Sequence, residues 1–463
     1  MLAYRLLRRG LLSIVRVFYR QIEVVGLENV PGEGEGAVIF VGNHPNSLLD
    51  PVMVVTTCGR VVHFAAKDVL FRSRLLRPFL GALGAVPIAR RSDHGEGAVD
   101  NASAFESLFA VMAAGRSMGI FPEGLSHDEA QVQRLKTGAA RIALGMAARH
   151  PEVKLQIIPC GLNYVRRGRF RGRVLVQYGA PLEVPIATLG PGSADAPIEC
   201  QRAAARDLTA RIDQALRALT INAPDWETLR LLDGVRRLYQ PPRISLAQRV
   251  ELARRFAEVY PQVKDRPDVR AVIERVGAYL DRLRGLGLSD RELARELWPV
   301  EIVAKVAQNL VILLVWLPLA LPGVILHAPL GLLIGWAGRR FAPRPDVVAT
   351  AKLLVGASLV LLTYAAIAGA AAWTAGWRGG LAAALLLPLT GVATVRTLER
   401  GSSLRRLLAS GLRYTALKRE VAALRVERQA LESVIAGLVD EVRPSDMAPL
   451  FPREPALADE DLP

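Results

Sequence analysis

The pattern of apolar and polar positions changes several times along the chain. Residues 1–20 set Leu, Ile, Val and Phe among Arg5, Arg8, Arg9, Arg16 and Arg20, with no apolar stretch long enough to span a bilayer or form the core of a cleavable signal. The pattern fits a basic amphipathic membrane-surface helix, arginines on lipid phosphates and leucines in the acyl boundary. A helix packed on its own domain carries the same pattern. From 21 to 220 short apolar runs alternate with helical stretches. Strands are predicted at 37–41, 61–65, 85–88, 117–121, 155–159 and 173–178, and helices at 102–114 and 138–149. Strand and helix alternation of this kind predicts an α/β layer domain. Residues 221–300 repeat Leu and Ala among Arg and Glu at helical period, broken at Pro241 and Pro242, and read as a helical connector.

Three apolar blocks follow, 310–338, 353–377 and 379–395, each without Lys, Arg, Asp or Glu. A bilayer-crossing helix needs about 20 residues, so the second block spans comfortably, the third marginally, and the first is too long for one untilted helix. Pro318, Pro322, Gly323 and Pro329 leave a kinked span and a re-entrant hairpin both open. Arg339, Arg340, Arg344 and Lys352 on one connection, and Arg396 and Arg400 after the third block, place both on the cytoplasmic side. With the α/β domain on that side too, the first block enters and returns, and the other two form a hairpin through Arg378 and Gly379. Residues 403–440 read as one long helix with Leu417, Leu424, Leu431 and Leu438 at seven-residue spacing, Val421 and Ile435 beside them, and Arg428 interrupting the seam. A parallel homodimer through 414–438 and packing within the same chain are both open. The chain divides into a surface helix (1–20), the α/β domain (21–220), a connector (221–300), a membrane domain (301–396), a coiled-coil-like helix (397–440) and a disordered tail (441–463).

Composition sharpens this picture. Over 463 residues, 51% are hydrophobic, and a mean hydropathy of +0.24, concentrated after residue 309, indicates a membrane protein. The net charge of +15 suits an anionic partner; the apolar blocks favour phospholipid, and nucleic acid is set aside. The basic stretch Arg166, Arg167, Arg169, Arg171 and Arg173 reads as a solvated hairpin facing anionic lipid. Cys58, Cys160 and Cys200 lack metal or redox spacing and suggest a reducing compartment. No nucleophile elbow, Walker sequence or metal-spaced histidine cluster is present, so no metal site is expected. His63, His94, His127, His150 and His327 have no evident partners in the sequence.

The run Val41-Gly42-Asn43-His44-Pro45-Asn46-Ser47-Leu48-Leu49-Asp50-Pro51 directly follows the first of these strands. His44 thus leaves the sheet at a strand end, where such sheets place their sites, and Asn46 or Ser47 can cap a helix carrying Asp50. A neutral imidazole can take a proton from a hydroxyl, while a carboxylate fixes its other nitrogen and stabilises the imidazolium. Three further blocks follow in order: Gly84-Ala85-Val86-Pro87-Ile88-Ala89-Arg90, Phe121-Pro122-Glu123-Gly124-Leu125-Ser126 and Ile157-Ile158-Pro159-Cys160-Gly161.

In these four blocks the chain resembles the glycerophospholipid acyltransferase family, over roughly residues 20–220. The resemblance implies that His44 is a general base activated by Asp50, that Arg90 holds the acceptor phosphate, and that Glu123 and Gly124 belong to the acceptor site, Glu123 binding a glycerol hydroxyl or orienting Arg90. Lys67 and Lys136 stand where the family carries basic residues near substrate, and Pro159 shapes the acyl-side wall. The implied reaction moves an acyl group from acyl-CoA or acyl-carrier protein to a hydroxyl of glycerol-3-phosphate or 1-acyl-glycerol-3-phosphate, with no resident cofactor. Five residues separate His44 from Asp50 where the family commonly has four, and Leu125 stands where Thr is common. The wider spacing is similar to that of fungal glycerol-3-phosphate and dihydroxyacetone-phosphate acyltransferases. An extra residue turns a helical position by about 100 degrees, so the pair meets only if the intervening turn is rebuilt. A non-catalytic scaffold of the same fold, or an acyltransferase for another lysolipid or aminolipid, are the alternative readings.

Overall fold

The apolar run AVIFVG forms β2 (Ala37–Gly42), buried at every position, as a strand covered on both faces must be. In the computed structural model, which describes residues 2–74, 76–88, 102–185, 197–294, 299–445 and 447–451, β2 lies inside an eight-stranded sheet. Its companions are β1 (Tyr19–Val25), β3 (Val62–Lys67), β4 (Val86–Ile88), β5 (Ser117–Ile120), β6 (Leu155–Val165), β7 (Gly172–Tyr178) and β8 (Leu182–Glu183), in the order β1-β7-β6-β2-β5-β3-β4 with β8 on β6. Among the described residues, the β6 pairings with β7 and β8 are antiparallel and the others parallel. Every expected strand is present; β6 runs on to Val165, and β1 and β8 are additions. The register Val41↔Ile120 and Phe64↔Gly119 brings the carboxyl ends of β2, β5 and β3 to one edge, so the segments after them converge.

Helices α1 (Leu2–Phe18), α2 (Leu49–Thr57), α3 (Leu76–Ala82), α4 (Ala102–Ala113), α5 (Gly138–Arg149) and α6 (Ile198–Leu219) accompany the sheet. Met112 of α4, Ala143 and Met146 of α5 and Ile212 of α6 form one core with Ile39, Met118 and Ile157. The apolar stripe of α1 is not free for lipid. Tyr4, Leu11, Val15 and Phe18 are buried, and the Tyr4 hydroxyl accepts the Val62 N–H at 3.0 Å. The membrane-surface reading of 1–20 is thereby corrected to a helix packed on its own domain, with Leu6 and Val17 left exposed.

The chain forms two compact units, Met1–Asp225 with Ala342–Thr350, and Trp226–Phe341 with Ala351–Pro463. In the second, the expected connector is half of a helical bundle. α7 (Trp226–Tyr239), α8 (Leu246–Val263, opened by a Ser245–Gln248 capping box) and α9 (Pro267–Gly285) are followed by the short α10 (Asp290–Leu293). The expected helix over 403–440 breaks at Leu417, between α12 (Val348–Ala416) and α13 (Lys418–Val442). The heptad seam of α13, Val421, Leu424, Leu431 and Ile435, is buried against Val235 and Leu238 of α7 and Val276, Tyr279 and Leu283 of α9. Of the two expectations for this seam, packing within the same chain is the one the structure displays. Arg428 interrupts the seam to pair with Asp290 at 3.0 Å and with Glu432. Of the expected disordered tail, Met447 to Leu450 line an apolar cleft beside Phe256 and Val439; 452–463 lie outside the described residues.

Among the described residues, two helices are long and apolar enough to cross a membrane, over Val303–Arg340 and Pro345–Arg413. The first belongs to α11 (Pro299–Arg340). The second is α12, interrupted at Gly376, whose φ of 72° no β-carbon residue adopts readily. There the chain reverses: Gly380 meets Ala372 and Ala368, and Tyr364 donates to the Leu387 carbonyl at 3.0 Å. The expected hairpin exists, its turn at Gly376 and not at Arg378 and Gly379. Along α11, Gly338 abuts Lys352, Ile334 abuts Gly356, and His327 bonds Tyr364 at 2.8 Å. Further back, Gly323 abuts Thr390 and Thr394, Trp316 stacks under Arg396, and Asn309 meets Arg400. Lys352 and Arg400 stand equally far from Gly376 along the chain, and Tyr364 and Gly391 much nearer. α11 thus approaches the hairpin turn and recedes again, bending where Pro318, Pro322 and Pro329 remove hydrogen bonds. Block 310–338, for which a kinked span and a re-entrant hairpin were both open, is one bent helix with both ends at the open end of the α12 hairpin, the entering and returning path expected for it.

Candidate active site

Asn43 closes β2 onto the sheet, donating to the Leu162 carbonyl at 3.1 Å and accepting the Leu162 N–H at 2.7 Å. The chain then turns sharply, because Ser47 takes a left-handed φ of 49° and α2 starts at Leu49. That residue absorbs the extra position between His44 and Asp50. The His44 Nδ1 lies 2.9 Å from Asp50 Oδ2, so the wider spacing still closes the pair. No side chain of Asn46 or Ser47 caps α2; the Asp50 carboxylate instead accepts the Asn46 N–H at 2.7 Å.

Asp50 is fully buried, and His44 is 17% exposed at the side chain. A buried carboxylate is tolerated only with its oxygens satisfied. Besides His44 and Asn46, the Tyr164 hydroxyl donates to Oδ1 at 2.7 Å. Burial, and then the charge of Asp50, push the Tyr164 phenol well above its ordinary pKa, so it keeps its proton and donates. The anion facing Nδ1 fixes the proton there and leaves Nε2 as the basic atom. The imidazole lies flat on Phe121, ring centroids 4.2 Å apart, and Phe121 stacks in turn near Phe64. A ring held on one face and at one nitrogen has little rotational freedom.

Glu123 follows β5, beside the His44 loop. It is buried, and its carboxylate accepts the His44 N–H at 2.7 Å and the Gln133 N–H at 2.8 Å, and pairs with His127. The carboxylate thereby locks the His44 loop to the loop after β5; Arg90, which Glu123 was expected to orient, lies outside the described residues. Gly124 makes the turn, at φ 81°, and a β-carbon there would strike the Lys136 side chain. Lys136, whose N–H bonds the Pro122 carbonyl at 2.8 Å, thus lies across Gly124 with its exposed amine near the site. Pro159 pairs with Val41 inside the sheet. Lys67 ends β3 at the same edge; its side chain, and Arg90 altogether, lie outside the described residues.

Sequence reasoning missed three participants. His127 bonds Glu123 through Nε2 and the His44 carbonyl through its N–H at 3.3 Å; its i+4 spacing from Glu123 was the available signal. Arg167, read as lipid-facing, donates to the carbonyls of Pro45 and His127, both at 3.1 Å, and to Asp128 at 2.9 Å. Tyr164 had no local signal. Of the other histidines, His63 bonds the Gly84 carbonyl at 3.0 Å and His150 bonds Glu152. Among the described residues no His, Cys, Asp and Glu cluster could hold a metal ion.

A buried Asp-His pair, with the exposed Lys136 near it, thus stands at the carboxyl edge of a mixed sheet. The model of the Acyltransferase family matches residues 21–163, and that of the glycerol-3-phosphate acyltransferase 2 C-terminal domain matches 231–447. The chain belongs to the glycerophospholipid acyltransferase family. It is 32% identical over 283 residues to the Saccharomyces cerevisiae glycerol-3-phosphate O-acyltransferase 2, covering 58% of this chain and 37% of the yeast protein. The yeast glycerol-3-phosphate O-acyltransferase 1 is 30% identical over 287 residues, with the same shares. The chain thus spans well under half the length of these relatives. A 1-acyl-sn-glycerol-3-phosphate acyltransferase of Borreliella burgdorferi is 33% identical over 125 residues, 27% of this chain and 46% of that protein. Among solved structures, the 1-acyl-sn-glycerophosphate acyltransferase PlsC of Thermotoga maritima aligns over 46% of this chain and 80% of its own, at 19% identity and a TM-score of 0.32.

Proposed function

We propose that this protein transfers a fatty acyl group from an acyl thioester to a hydroxyl of glycerol-3-phosphate, a step of phospholipid synthesis. The observation that carries the proposal is the His44–Asp50 pair, closed at 2.9 Å despite the wider spacing. Nε2 of His44 takes the acceptor's hydroxyl proton as that oxygen attacks the thioester carbonyl; the C–O bond forms, the C–S bond breaks, and the imidazolium returns the proton to the leaving thiolate. Asp50 stabilises the imidazolium between these events. Lys136, Lys67 and Arg90 supply the positive charge for the acceptor phosphate, Arg90 as a planar fork. No resident cofactor takes part; acyl-CoA or acyl-carrier protein is a substrate.

Glycerol-3-phosphate is favoured over 1-acyl-glycerol-3-phosphate because the similarity to the two yeast enzymes named for the former extends over 58% of the chain, against 27% for the relative named for the latter. Membrane residence is supported by the two long apolar helices, whose most apolar stretches are only 11% and 6% buried; a soluble protein's core helix would be mostly buried. The catalytic unit faces the cytoplasm, as the charges flanking the apolar blocks favour, and the bilayer supplies the medium for the acyl product.

The test offers labelled palmitoyl-CoA with glycerol-3-phosphate or 1-acyl-glycerol-3-phosphate to the full chain in detergent. Product from glycerol-3-phosphate is expected. Product from the lysolipid alone would move the protein to the second acylation. Transfer to neither, with a carrier-protein thioester also supplied, would favour another acceptor or a scaffold.

A further inference from the structure

The nine residues 342–350, which comprise the link from α11 and the first three residues of α12, belong to the compact unit of the sheet. Asp346 is almost fully buried there. It accepts the Ser126 hydroxyl at 2.5 Å and Arg344 at 3.0 Å, and Arg344 also reaches Ser126 at 3.2 Å. Val348 packs on Gly168, one residue after Arg167. Thr350, also buried, donates to the Asn46 carbonyl at 3.3 Å. A connection needed only to link two helices has no reason to bury a carboxylate against a serine 220 positions away, since burying a charge is costly unless its partners offset it.

The points of attachment are specific. Asn46 is the residue whose N–H holds Asp50. Ser126 lies between Glu123, which holds the His44 N–H, and His127, whose own N–H is on the His44 carbonyl. The segment therefore grips both loops that carry the general base and its supports, each next to the residue doing the holding. Arg167 grips the same two loops through Pro45 and His127.

We propose that 342–350 is a positioning strap of the acyl-transfer site, with Asp346 as its anchor on the loop after β5. The inference rests on the reading of the site as an acyltransferase. Asp346 touches neither substrate nor the reacting atoms; it acts through Ser126 and the Glu123–His127 pair.

The experiment compares wild type, Asp346→Ala, Asp346→Asn, Ser126→Ala and the Asp346→Ala/Ser126→Ala double variant, all as full chain in detergent. It reads glycerol-3-phosphate kinetics at saturating palmitoyl-CoA, the KM for palmitoyl-CoA, and amide hydrogen exchange. Asp346→Ala and Ser126→Ala are each expected to lower kcat/KM for the acceptor about tenfold with the donor KM unchanged. The double variant is expected to be no worse than either single one, and Asp346→Asn, which keeps an acceptor for Ser126, to recover most of the loss. Exchange is expected to quicken at 43–50 and 122–128 and stay unchanged in α7–α9. Unchanged acceptor kinetics and exchange in Asp346→Ala would overturn the proposal, as would a loss spread over both substrates with exchange raised throughout the chain. If wild type acylates no acceptor, the functional reading fails, and exchange alone still decides whether the strap orders the two loops.

Discussion

Tyr164 donates its hydroxyl to Asp50 Oδ1 at 2.7 Å while His44 Nδ1 faces Oδ2 of the same carboxylate at 2.9 Å. Strand β6 and the loop after β2 thus share one buried anion. Removing the phenol hydroxyl would leave Oδ1 buried without a donor, at a cost of about 1–3 kcal/mol. Tyr164→Phe is expected to fold, to melt several degrees lower, and to lose about tenfold in kcat with little change in acceptor KM. Thermal denaturation beside steady-state kinetics checks this; an unchanged melting point would show that the bond does not hold Asp50.

Lys136 is exposed and crosses Gly124 at the rim. Its charge is available to an acceptor phosphate but contributes nothing to the core. Lys136→Ala is expected to raise the glycerol-3-phosphate KM about tenfold, more at low salt than at high salt because surface charge is screened, with the melting point unmoved. A KM that ignores both the substitution and the salt would remove Lys136 from the acceptor site.

Leu431 is completely buried in the seam shared by α13, α7 and α9. Truncating such a side chain costs about 2–5 kcal/mol. Leu431→Ala is expected to lower the melting point of the full chain by an amount independent of protein concentration, since the seam is filled from within one chain. A destabilisation that disappears on raising the concentration would mean a dimer seam instead.

The partners of α11 imply that both its ends lie at the open end of the α12 hairpin, with Gly376 at the far end. Single cysteines at 305, 340 and 344, in a background free of native cysteine, are therefore expected to label from the same side of the membrane. A cysteine at 376 or 378 is expected to label from the other side or not at all. Opposite labelling of 305 and 344 would mean a straight crossing by α11.

Much of this was legible in the chain itself. The buried strands announce themselves as short apolar runs between turn residues, and the His44, Glu123 and Lys136 blocks fall at the ends of parallel strands, where register brings them together. What stayed hidden depends on distant partners. β1 follows directly on α1, and its sequence YRQIEVV has no clean alternation; it becomes a strand because β7 is there to pair with it. The stripe of α1 and the seam of α13 were visible as apolar faces, but periodicity says that a face is covered and not by what. The supports of the site were least legible, because Tyr164, Arg167 and Asp346 meet the catalytic loops from far along the chain and are common surface residue types. Glu123 was found in the right place, but its bonds to the His44 and Gln133 N–H groups and to His127 are visible only in the structure.

The central claim is that Nε2 of His44 is the base that opens acyl transfer. Its most direct test is thiol release from palmitoyl-CoA in the presence of glycerol-3-phosphate by wild type and His44→Ala, with thermal denaturation of both. Because general-base catalysis contributes about 10²–10⁴-fold, the account predicts a loss of about a thousandfold in acceptor-dependent thiol release, with the variant as stable as wild type to within a few degrees. Acceptor-dependent release within a few-fold of wild type from folded His44→Ala would contradict it.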